Sequence, residues 1–100
     1  MEMIKELSEM SVEEVFGACK YARMAVLHKD DQGLASMFHN MTEQEISHSE
    51  SLYSMANAML EKHKDSAEYA AHRLLLDFIR GMQVDKVNEA RRYLAQAKGA

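Results

Sequence analysis

Not one proline interrupts the 100 residues of this chain. Proline lacks an N–H and fixes φ, so it ends regular structure, and folds with many turns use it freely. Only four glycines, Gly17, Gly33, Gly81 and Gly99, are left to mark breaks. Ala, Met, Leu, Glu and Lys lose little side-chain freedom in a helix, and they fill much of the space between. No stretch alternates apolar and polar residues while rich in β-branched or aromatic ones. The expectation is an all-α fold, a single domain over 1–100.

Apolar spacing divides that domain. Ile4, Leu7, Ser11, Glu14, Ala18, Tyr21, Ala25 and His28 recur at steps of three and four, which places them on one stripe of a first helix over about 3–29. Ser11-Val12-Glu13-Glu14 also reads as a capping box, so the helix starts either near residue 3 or at Ser11. Asp30-Asp31-Gln32-Gly33 is the clearest turn, with a glycine able to take φ > 0. A second stripe, Leu34, Phe38, Met41, Glu45, His48, Leu52, Met55 and Met59, marks a helix over about 34–63, with a local break at Thr42 as the alternative. After a charged turn at 61–65, Leu75, Ile79, Met82, Ala90, Leu94 and Ala97 mark a third helix over about 66–98. Gly81 could kink or break it. Three amphipathic helices leave apolar surface uncovered, whereas two copies of the first hairpin would make a four-helix bundle. A homodimer or larger oligomer is expected.

Charge and composition narrow the partners. A net charge of −4 with scattered Lys and Arg lacks the concentrated basic face that nucleic acid or an anionic membrane requires. No apolar run approaches the roughly 20 residues that span a bilayer. The mixed, acidic start MEMIKELSEM does not read as a signal peptide, and a lone Cys19 suits a reducing compartment, so a cytoplasmic location is expected.

Two of the stripes carry an anomaly. Glu14 lies on the first, and Glu45 and His48 on the second. A charged group on a core stripe is costly unless it is paired or bound to a metal. Glu45-Ile46-Ser47-His48 is a Glu-x-x-His motif, and residues i and i+3 on a helix can grip one ion. Carboxylate oxygen with imidazole nitrogen suits iron, with manganese the alternative. Bundles with a di-iron carboxylate centre use a Glu from each of two helices and a Glu-x-x-His from each of the other two. One chain offers half of that set, so the dimer that the apolar stripes ask for is also the one the ligand count asks for.

Glu14, Tyr21 seven residues later, Phe38, and then Glu45 and His48 resemble the first helix pair of the ferritin-like superfamily, rubrerythrins above all, over about residues 10–60. The resemblance implies Glu14, Glu45 and His48 as metal ligands, with Tyr21 beside the site supporting a carboxylate. The third segment departs from the pattern, having Glu68 and His72 four apart but no Glu-x-x-His. In this it resembles the half-ferritins, including the encapsulated ferritins, whose metal centre lies between subunits. With one cysteine there is no Cys-x-x-Cys pair for a rubredoxin-type iron site. The function implied is iron oxidation or storage, or reduction of peroxide or oxygen, by a ferroxidase or peroxidase-type protein.

Plainer readings stand beside this one. Glu-x-x-His arises by chance in a chain this rich in Glu, and the same residues could be a cap and a solvated face. Glu13 replaces Glu14 if the helix phase shifts by one. His28 is a second candidate ligand or a helix-end histidine favoured by the dipole. His39, His63 and His72 read as surface residues. The pairs Met37–Met41 and Met55–Met59 are i, i+4 contacts of an adaptable core rather than copper ligands. Cys19 reads as packing. The alternative function is a metal-free helical dimerisation or adaptor module.

Overall fold

The computed structural model of the chain describes residues 1–99. It consists of α1 (Glu2–Leu27), α2 (Gln32–Glu61) and α3 (Tyr69–Gly99), and no strand occurs among the described residues. The bundle is a rod of 54 × 17 × 13 Å. Its radius of gyration of 15.8 Å exceeds the roughly 13 Å of a compact globule of this length. A rod this thin buries few whole side chains, so the helices approach through small ones.

Local chemistry explains the boundaries. α1 starts at Glu2, with no side-chain cap, and runs straight through Ser11. The capping box does not form because Ser11 is fully buried mid-helix, its hydroxyl donating to the Ser8 carbonyl at 2.8 Å. Asp31 is the cap of α2, its carboxylate accepting from the Leu34 amide at 3.1 Å. Gly33 therefore falls inside the first turn of α2 and does not take the positive φ expected of it. Thr42 does not break α2, because its hydroxyl donates to the Phe38 carbonyl at 2.8 Å. Gly81 lies within an unbroken α3.

α1 packs chiefly on α2, and α3 leans across one flank of that pair. The core has two apolar halves. One gathers Ala18, Cys19, Ala22, Ala25, Ile46, Ala90 and Leu94, and the other Ile4, Leu7, Ala56, Leu60 and Leu76. Between them lies a polar belt. Gln83 on α3 donates to Ser49 at 2.8 Å, and Ser49 donates to the Ser11 carbonyl at 2.7 Å. Arg80 donates to Gln83 and, at 2.8 Å, to Glu50.

The stripe assigned to α2 needs correction. Its buried line is Thr42, Ile46, Ser49, Ala56 and Leu60, one residue further round the helix than the line through Met41, Glu45, His48, Leu52, Met55 and Met59. The latter line flanks the α1–α2 seam. On α1, Ile4, Leu7, Ser11, Ala18 and Ala25 are buried as expected, while Glu14, Tyr21 and His28 are half-buried and Val15, Cys19 and Ala22 join the core. The hairpin thus has two flanks. Residues such as Cys19, Ser49 and Glu50 meet α3 on one. The other carries the carboxylates, with the exposed Met3, Met10, Leu34 and Met55 at helical spacing along it.

Candidate metal centre

α1 presents Glu14 at mid-length, and antiparallel α2 brings Glu45 and His48 alongside. Each of the three offers one ligand atom within 4.8 Å of the others. The His48 Nδ1 is 3.7 Å from one Glu45 oxygen and 4.0 Å from a Glu14 oxygen. Glu13 is exposed on the other side, so the phase of α1 selects Glu14. The carboxylates are partly shielded, at 30% exposure for Glu14 and 24% for Glu45, while the imidazole is 59% exposed.

The electrostatics are those of a crowded anionic pair. Partial burial, a proton shared with Glu14 and the Glu14 charge push the Glu45 carboxyl up to about 7, against a smaller opposing pull from His48. In the metal-free protein the pair therefore retains a proton at pH values where an ordinary carboxylate has lost it.

The spacing can be tested against a metal. Bonds of roughly 2.0–2.2 Å from Asp, Glu or His put two ligands of one ion no more than about 4.4 Å apart. Separations of 3.7 and 4.0 Å lie inside that limit. The donor set of two carboxylates and an imidazole fits a hard or borderline divalent cation. The second Glu45 oxygen lies over Gly17, where an added Cβ would come within 2.9 Å of it.

The remaining candidates sit elsewhere. The Tyr21 ring stacks with Phe38 at 6.3 Å between centroids, and His28, the C-cap residue of α1, stacks on the same ring at 6.0 Å. Cys19 is buried, its thiol donating to the Lys86 carbonyl at 3.1 Å. Burial first, then Glu89, pushes that thiol up and keeps it protonated, which suits packing rather than nucleophilic chemistry. His72 Nδ1 lies 3.0 Å from the Glu68 carbonyl, in the turn just before α3. Met37 and Met55 are exposed, not core. Gly17 reads in the sequence only as a possible break, although its i+3 relation to Glu14 is a usable signal of its approach to Glu45.

No family model matches the chain, and neither a curated protein nor a solved structure is significantly similar to it. No helix among the described residues is long and apolar enough to cross a membrane.

Proposed function

We propose that the chain is a ferritin-like carboxylate metal protein in which Glu14, Glu45 and His48 hold iron or manganese and a second copy completes a two-metal centre. The observation that carries this reading is the convergence of two carboxylates and an imidazole on the flank of the seam that α3 leaves open. A self-sufficient fold has little reason to crowd two acids there and then hold a proton between them, because the repulsion costs stability unless a cation relieves it.

The partner is a second copy because the site shares its flank with four of the uncovered apolar residues. Met3 and Met10 on α1 and Leu34 and Met55 on α2 line the surface on either side of the carboxylates. A two-fold axis there would bring together four carboxylates and two imidazoles, the set of a di-iron bundle. Closure by the copy would also take the His48 edge out of water, which strengthens every charge interaction within.

A redox metal held there would supply electron transfer to oxygen or peroxide, or oxidation of iron for storage. The protein's own part is to bind, orient and protect. Glu14 and Glu45 neutralise the cation's charge, His48 supplies the nitrogen donor, and the stack of Tyr21, Phe38 and His28 stiffens the neighbouring seam. Proton release accompanies loading, because the proton on the carboxylate pair must leave.

The competing reading, a metal-free dimerisation module, draws on the same exposed methionines. Titration with iron(II) or manganese(II) of the wild type, Glu45→Ala and His48→Ala separates the two. Saturable binding in the wild type with loss in both variants supports the metal centre. Equal binding in all three rejects it. Sedimentation should show a dimer or larger at micromolar concentration, and a stable monomer under metal-loaded conditions would remove the shared centre.

A further inference from the structure

Gly17 is out of place by helix propensity. It sits in the interior of α1, where glycine is less favourable than alanine. Among the described residues no glycine has a positive φ, so Gly17 is not needed for a special backbone conformation. What distinguishes it is the space opposite. A Cβ built there would meet Glu45 Oε2 at 2.9 Å and Glu45 Cδ at 3.8 Å, and beyond the adjoining backbone of α1 it would meet nothing else within 4 Å. Gly81, also mid-helix, has nothing within 4 Å of its Cβ position.

The position along α1 matters as much. Gly17 follows Glu14 by one turn on the same face, so the missing side chain opens the helix surface beside the first carboxylate. One Glu45 oxygen settles into that opening, and the other faces His48 at 3.7 Å. The carboxylate is therefore held between the α1 backbone on one side and the imidazole on the other.

We propose that Gly17 is a positioning residue for Glu45: the bare backbone it leaves on α1 seats the carboxylate in the orientation that brings it to Glu14 and His48. This rests on the reading of the three side chains as a metal site, but the seating itself can be judged without metal. The clash that a methyl group would create falls on the far end of a flexible side chain and not on backbone. Gly17→Ala therefore leaves the fold intact and turns the Glu45 carboxylate away, so the site suffers while the helix gains.

The experiment pairs Gly17→Ala with Gly81→Ala as its control, each in the wild-type and the Glu45→Ala background. Manganese(II) affinity by calorimetry should fall about 10- to 100-fold in Gly17→Ala, the usual loss when a ligand's supporting partner is removed, and stay unchanged in Gly81→Ala. In the Glu45→Ala background, where no metal binding is left to lose, the readout is chemical denaturation: Gly17→Ala should raise stability there as Gly81→Ala does, because its harm runs through that carboxylate. A Gly17→Ala variant that binds manganese like the wild type would overturn the proposal. So would a Gly17→Ala that destabilises the Glu45→Ala background. If the wild type itself binds no manganese, the metal reading fails, and the crystal structure of metal-free Gly17→Ala decides the seating alone. A rotated Glu45 side chain over an unmoved α1–α2 pair supports it, and an unchanged carboxylate contradicts it.

Discussion

Two polar groups lie side by side at the middle of the rod, and they are built in opposite ways. The belt of Ser11, Ser49 and Gln83 faces α3, and each step in it is a hydrogen bond of 2.7–2.8 Å. Its outer end is closed by Arg80 and Glu50. Among the described residues, no buried side-chain nitrogen or oxygen lacks a partner. One turn away, Glu14, Glu45 and His48 face the open flank at separations of 3.7 and 4.0 Å from the imidazole, too long for hydrogen bonds, with the two acids crowded together. The belt is complete without any outside partner and accounts for how the two apolar halves of the core are joined. The acidic group crowds two acids with no hydrogen bond from the imidazole, and that difference is the reason to propose a site in one and read the other as architecture.

Substitutions at the two places should therefore separate stability from binding. The largest effect on stability is expected at Gln83→Ala, which empties a space at 1% exposure and strands the end of the belt. A loss of about 2–4 kcal/mol in chemical denaturation should follow, with metal affinity unchanged. Loss of metal binding alongside would mean that the two groups are one network.

A smaller effect, of opposite sign, is expected at Glu45. Its folded-state carboxyl is pushed up to about 7 from an ordinary value near 4.5, so between those values the folded metal-free protein holds more protons than the unfolded chain. Stability then falls as pH rises through that window, and the loss is complete above about pH 7. The fall should be on the order of 1–3 kcal/mol, and Glu45→Gln, which cannot ionise, should remove it. Metal affinity should climb over the same window as the shared proton leaves. A wild-type protein whose metal-free stability is flat between pH 5 and 8 would break the contrast.

The smallest effect belongs to Arg80→Ala. Arg80 and Glu50 are 41% and 43% exposed, so the ion pair is screened and worth about 0–1 kcal/mol. Thermal melting should register a minor shift. A loss as large as that of Gln83→Ala would show the belt to depend on its charged end.

Much of this architecture could be read in the residues, and the failures have one physical cause. The all-α class follows from the absence of proline, the three helices follow from the apolar stripes and the turns between them, and the spacing of Glu14, Glu45 and His48 puts them on faces that do meet. The phase of α2 is hidden in the sequence because Leu34, Met41, Met55 and Met59 look like core and Thr42, Ser49 and Ala56 do not. In a thin bundle the reverse holds, since small side chains let the helices approach and hydroxyls satisfy themselves on nearby carbonyls. Glycines misled for a related reason. Gly33 suggests a turn that its backbone does not make, and Gly81 stays inside the single third helix that the stripe predicts, whereas the meaning of Gly17 depends on a carboxylate that only the folded partner helix supplies.

The central claim is that the acidic group on the open flank waits for a cation while the belt beside it does not. Crystals grown with manganese(II) test it most directly through anomalous scattering. The account predicts a peak within about 2.0–2.3 Å of oxygens from Glu14 and Glu45 and a nitrogen of His48, facing its counterpart in a second copy. Saturating manganese with no peak between these residues, and the His48 ring turned into solvent, would contradict it.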